Sequence, residues 1–132
     1  EGWQRLRNPA YNFDSAAGLR YTVDVTKPKG EKIHILSLAD GRPFVPEASY
    51  RVAVNSYRGG GGGELLTKGA GIPKDSLEAR IERRADRDLR HYLIEHIRRL
   101  KDIHPQPRHE WKFVPEDWAR AAAQRDSLLL FR

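Results

Sequence analysis

The chain has 132 residues, with 24 Lys and Arg against 18 Asp and Glu, a net charge of +6 and a pI near 9.8; that length fits one domain rather than two. It contains no cysteine, which excludes disulfides, thiolate nucleophiles and cysteine-based zinc sites. The longest purely apolar run is Leu128–Phe131, far short of the roughly 20 residues a membrane-crossing helix needs.

Glu1-Gly2-Trp3 leads into charged and polar sequence, so no signal peptide is expected at this start, and the absence of Met reads as a processed or excised piece. Leu19–Thr26 alternates apolar and polar residues, the pattern of a half-buried strand. Gly18 opens it, and Lys27-Pro28-Lys29-Gly30 closes it because Pro has no N–H for the ladder. Lys32–Leu38 is a second strand rich in β-branched residues and Leu, and Asp40-Gly41 supplies a turn with positive φ. Tyr50–Val54 repeats the alternation and is expected as a third strand beside the first two.

The second half reads as helical. Asp75 and Glu78 stand at capping-box spacing, with Leu77 and Ile81 on one face. A further helix is expected from Asp86, with Leu89, Leu93, Ile97 and Leu100 in a stripe, and Pro105 and Pro107 end that region. Trp111–Val114 is a short strand, and Pro115-Glu116-Asp117 opens a last helix with acids in its first turn. Leu128–Phe131 is an apolar end that needs a partner surface. The fold class expected is α+β, a mixed sheet packed with helices in a single domain over residues 1–132.

Charge alone points to no dedicated nucleic-acid surface. Residues 1–63 carry 9 basic and 6 acidic side chains, and residues 64–132 carry 15 and 12, so each half is +3 and no basic arm exists. His91 and His96 are five apart, as are His104 and His109, whereas two metal ligands on one helical face need three or four; His34 falls in the polar phase of its strand. No catalytic triad or acid–base pair of carboxylates can be placed, and Ser56 lacks a nucleophile elbow. The sequence offers no catalytic residue and no metal ligand.

The loudest feature is Asn55-Ser56-Tyr57-Arg58 followed by Gly59–Gly63, a candidate ligand loop over residues 55–66. Composition alone leaves it either a flexible linker or a loop whose glycines let backbone amides approach a ligand. It matches neither a Walker loop nor a dinucleotide fingerprint.

Taken in order, Tyr11-Asn12-Phe13-Asp14, Gly18–Pro28, Asp40-Gly41-Arg42-Pro43 and Tyr50–Arg58 with the glycine run resemble the C-terminal domain of 5′-nucleotidases. That family includes UDP-sugar hydrolases and 2′,3′-cyclic-nucleotide phosphodiesterases. The resemblance covers residues 9 to about 100 and is nearest the cyclic-phosphodiesterase-like and bacterial nucleotidase branches. It implies that Tyr57 is one wall of a nucleobase stack and that Gly61 and Gly62 are the family's paired glycines; Arg58 is left either facing phosphate or ribose or held in a structural salt bridge. Gly63 stands where many members carry an Asp that binds the ribose hydroxyls, with Glu64 adjacent. Asn55, Tyr57, Arg58, Gly61, Gly62 and Gly63 are therefore the expected substrate-binding residues.

The resemblance also implies a separate N-terminal metallophosphatase domain with two divalent metals, for which this chain holds no ligands and no cofactor of its own. This chain would be the latter, incomplete part of the substrate-binding domain. Its expected partners are a nucleotide or nucleoside, that N-terminal domain, and another copy over uncovered surface. Its expected location is the periplasm or cell surface. Two other readings stay open: a basic single-stranded nucleic-acid-binding module built on Tyr57 and Arg58, and a protein-interaction module without enzymatic role.

Overall fold

The structure is a computed structural model that describes residues 13–131; Tyr11 and Asn12 of the first matched block lie outside the described residues. The described chain divides into two compact units, residues 13–48 with 107–131, and residues 49–106.

The first unit is built on a three-stranded mixed sheet. Strands β1 (Leu19–Asp24) and β2 (Ile33–Leu38) pair antiparallel, with Tyr21 opposite Ile35 and Val23 opposite Ile33. The register shifts between Arg20 and Tyr21, leaving Leu36 as an unpaired bulge residue. The connection is held by Asp24, whose carboxylate accepts from Thr26 N at 2.9 Å and Thr26 Oγ1 at 2.6 Å. Those bonds, led by the hydroxyl, hold the Asp24 carboxyl below its usual pKa. At the far end of β2 the expected Asp40-Gly41 turn forms, with Gly41 at φ 88° and Leu38 N donating to Arg42 O at 2.9 Å.

Strand β3 (Trp111–Val114) lies parallel to β1 on its other side, giving the order β2-β1-β3. Tyr21 pairs with Trp111 and Val23 with Phe113, so apolar side chains of both strands share one face. The rings of Tyr21 and Trp111 stack at 5.9 Å and 11°, and Phe13 covers Trp111 and Phe113 at 5.4 and 5.9 Å. Tyr21 and Val23, each 6% exposed, are the buried centre of this unit. Helix α3 (Glu116–Leu130) follows β3 across a cis Val114–Pro115 bond, and Lys112 pairs with Glu116 where strand becomes helix. The α+β class and the mixed sheet are thus observed.

In the second unit two sequence expectations are corrected. Among the described residues Tyr50–Val54 forms no strand, and Val52 is 76% exposed: alternation alone does not make a strand without a pairing partner. Asp75 and Glu78 form no capping box. The Pro73 carbonyl takes both Ser76 N at 3.0 Å and Ser76 Oγ at 2.9 Å, which winds Lys74–Ser76 into a 3₁₀ turn instead. Glu78–Arg80 is a second such turn, and Glu78 pairs with Arg84.

Helix α2 (Leu89–Leu100) starts later than Asp86. Asp88 is its N-cap, with Oδ1 accepting from His91 N at 2.9 Å. Asp86 instead accepts from the Tyr92 hydroxyl, which lowers the Asp86 pKa and raises that of Tyr92. Leu89, Leu93, Ile97 and Leu100 form the expected stripe and all are exposed. The buried apolar side chain of this unit is Leu77, at 6%. It packs against the glycine run: a Cβ on Gly61 would lie 3.2 Å from Leu77 Cδ1 and 3.4 Å from Thr67 Cγ2.

Candidate functional site

The segment from Asn55 to Gly69 folds as a series of short hydrogen-bonded turns rather than an extended tether. Asn55 is in extended conformation and caps helix α1 (Ser56–Gly59), its Oδ1 accepting from Arg58 N at 2.8 Å. Gly59 N donates to Asn55 O at 2.8 Å, Gly60 N to Ser56 O at 2.9 Å and Gly61 N to Arg58 O at 3.0 Å. The chain then needs three left-handed residues close together: Gly61 at φ 89°, Gly63 at φ 66° and Glu64 at φ 61°. Two are glycines, for which this conformation carries no Cβ penalty. At Glu64 the side chain is engaged with Lys68 at 2.6 Å, and a single π turn, Leu65–Gly69, follows.

This backbone sets the two large side chains of the loop. Tyr57 is 64% exposed, so most of its ring meets solvent. The ring is nonetheless held on its Cδ2–Cε2 side: a Cβ on Gly62 would lie 2.5 Å from Cε2 and 2.6 Å from Cδ2. Only glycine lets the ring and the backbone approach so closely. Arg58 is 9% exposed. Its Nη1 donates to Gly62 O at 3.3 Å, and its Cζ sits over the Tyr57 ring, 5.4 Å from the centroid, within cation–π range.

The residues expected from the sequence thus come together in one turn, each with a distinct place. Tyr57 presents an open ring, Gly62 seats it, Arg58 backs it, Asn55 caps the helix that carries both, and Gly61 and Gly63 supply the bends. The Arg58 guanidinium contacts a backbone carbonyl and a ring inside the loop. Sequence reading gave no hint that Leu77 and Thr67 wall the turn; no periodic pattern links them to Gly61. Lys68 was legible in principle, four residues after Glu64.

Among the described residues, no three His, Asp or Glu side chains converge in a way that fits a metal ion. His104 meets Asp102 at 3.0 Å and His96 meets Arg99 at 3.1 Å, both on the surface. No helix in the described residues is long and apolar enough to cross a membrane.

Comparison with known proteins bears on the same stretch. The family described as "5′-nucleotidase, C-terminal domain" matches residues 2–68, which include the turn from Asn55 to Glu64. The chain is 29% identical over 117 residues to the "Trifunctional nucleotide phosphoesterase protein YfkN" of Bacillus subtilis, covering 80% of this chain and 8% of that protein. It is 30% identical over 125 residues to the "2′,3′-cyclic-nucleotide 2′-phosphodiesterase/3′-nucleotidase" of Salmonella typhimurium, covering 86% of this chain and 18% of that one. The protein of the same name from Yersinia enterocolitica is 27% identical over 124 residues, with coverages of 85% and 18%. The chain therefore spans less than a fifth of the length of these relatives. No solved structure matches it. With the family matching half of its length, the chain belongs to the 5′-nucleotidase C-terminal domain family.

Proposed function

We propose that this chain is the nucleotide-recognition part of a phosphoesterase that hydrolyses phosphate esters of nucleotides, with Tyr57 stacking on the base. The observation that carries this reading is an aromatic ring kept 64% exposed on a glycine-built seat within the family-matched segment. Leaving a large ring in water is unfavourable unless something covers it, and a nucleobase is a flat partner whose π face any aromatic can meet. The nucleotide phosphoesterase names of the relatives support this substrate class.

Hydrolysis is assigned to a separate N-terminal metallophosphatase domain of the same polypeptide. Its two divalent metals would supply an activated water and charge neutralisation at phosphorus. The residues of this chain would bind and orient the base: Tyr57 as the stacking wall, Gly61–Gly63 shaping the approach, and Asn55 fixing the helix from which Tyr57 projects. The exposed stripe of α2 is where we place contacts with the remainder of that polypeptide, and the periplasm or cell surface is the proposed location.

The test is Tyr57→Ala in an enzyme carrying this domain and its catalytic domain together. KM for a 2′,3′-cyclic nucleotide should rise about tenfold, the scale of one base–aromatic stack, while KM for a base-free phosphate ester stays unchanged. Equal rises for both substrates would remove the stacking role.

A further inference from the structure

Position 63 is glycine for a reason that lies in Arg58. Its φ of 66° already disfavours any side chain, and the space a side chain would enter is occupied. A Cβ there would lie 1.5 Å from Arg58 Nη1 and 2.8 Å from Cζ. The same guanidinium reaches the Gly62 carbonyl at 3.3 Å and the Tyr57 ring at 5.4 Å, and Arg58 as a whole is 9% exposed. Tyr57 and Arg58 are neighbours on a helical turn, so their side chains leave the backbone about 100° apart. Arg58 therefore has to fold back to reach the ring beside it. A planar, always-charged fork suits that position, since it stacks on an aromatic face and donates in its own plane at once.

We propose that Arg58 is a positioning residue for Tyr57. Its guanidinium takes the place of a side chain at position 63 and, through Gly62 and the ring, sets the angle at which Tyr57 meets a ligand. The consequence for ligand binding rests on the reading of Tyr57 as the stacking ring; the brace itself stands on the loop geometry. Arg58 and Gly63 then form one device, and a member of the family with a side chain at 63 must hold its aromatic ring by other means.

The experiment is a proton NMR and binding series on the 132-residue chain, with Arg58→Ala, Arg58→Lys, Gly63→Ala and the Arg58→Ala/Gly63→Ala double variant. The wild type should show nuclear Overhauser contacts between the Tyr57 ring and the Gly62 α-protons. These should weaken in Arg58→Ala and Gly63→Ala, and less in Arg58→Lys, while the Tyr21–Trp111 ring contacts of the sheet stay unchanged as an internal control. The affinity for adenosine 3′-monophosphate should fall about fivefold in either single variant, as expected for loss of one cation–π brace, and no further in the double variant.

Wild-type intensity of the Tyr57–Gly62 contact in both Arg58 variants overturns the proposal, as do losses that add in the double variant. Arg58→Lys keeps the test decisive should the alanine variant unfold. The nucleotide reading fails separately: if Tyr57→Leu binds adenosine 3′-monophosphate as the wild type does, stacking is removed, while the ring contacts still decide the brace.

Discussion

Tyr21 and Tyr57 are the same side chain held in opposite ways by the two units of this molecule. Tyr21 sits in the central strand, stacked on Trp111 from a strand 90 residues later in the chain, with its hydroxyl accepting from Ala16 N at 3.0 Å. Its orientation is fixed by strand register, and its ring is covered. Tyr57 is fixed by its neighbours within five residues, Arg58 and Gly62, and its ring stays open. The difference separates two uses of aromatic area. Buried against another ring it stabilises the fold; seated on glycine and left exposed it is available to something outside the chain.

That contrast breaks most visibly under truncation. Tyr21→Ala should cost about 3 kcal/mol of stability, the range for removing a buried aromatic from a packed core. Tyr57→Ala should cost under about 1 kcal/mol, as substitutions of largely exposed side chains do. Urea denaturation followed by tryptophan fluorescence measures both. Comparable losses at the two positions would mean that Tyr57 is a structural ring and would weaken the case for its role in binding.

A second pair sharpens the comparison inside the loop unit. Leu77 is buried against Gly61 and Thr67, whereas Leu93 in the middle of α2 is 50% exposed. Leu77→Ala should destabilise by about 2 kcal/mol and loosen the glycine turn with it. Leu93→Ala should change the stability of the chain by no more than about 0.5 kcal/mol. Hydrogen exchange at Gly59–Gly61, whose amides close the turn, reports whether Leu77 is the wall that the geometry assigns to it.

The two units were also unequally legible from sequence. In the first, the Asp40-Gly41 turn, Trp111–Val114 and the acidic start of α3 all appear where the residues place them, while the strand expected over Leu19–Thr26 ends at Asp24, where Thr26 bonds the Asp24 carboxylate and turns the chain. What could not be read there was the partner of β1 on its second side. Tyr50–Val54 alternates as well as Trp111–Val114 does, and only long-range pairing chooses between them. In the second unit, local competition decided the outcome. The Pro73 carbonyl captured Ser76 before Asp75 could cap, and the Tyr92 hydroxyl engaged Asp86, leaving Asp88 to start α2.

The candidate loop was visible as composition, but its geometry was not. Glycine has no side chain to carry a pattern, so nothing in a run of five tells which of them seats Tyr57 and which makes room for Arg58. The family resemblance singled out this segment because it matched the order of several blocks, a longer-range signal than any single motif within it. The resemblance left Arg58 either facing a ligand's phosphate or ribose or held in a structural salt bridge. In the folded chain it contacts the Gly62 carbonyl and the Tyr57 ring, contacts set by side-chain packing that a string of residue types does not encode.

The smallest expected effect lies at the junction of β3 and α3, where the sheet unit depends on charge rather than on ring packing. Glu116 stands in the first turn of α3 and pairs with Lys112, which donates to it and, as the leading cause, lowers the Glu116 pKa from its ordinary value. A carboxyl whose folded pKa lies below its unfolded one stabilises the fold above the unfolded value, and that contribution disappears as pH falls through the folded value. The wild type should therefore lose stability relative to Glu116→Gln on going from neutral pH to below the usual glutamate range, and the two should converge once the carboxyl is protonated. Because both partners are exposed, the effect should also shrink at high salt. Urea midpoints of the two proteins across that pH range decide the matter. A constant difference at every pH would show that Glu116 acts through its packing or its helix position and not through its charge.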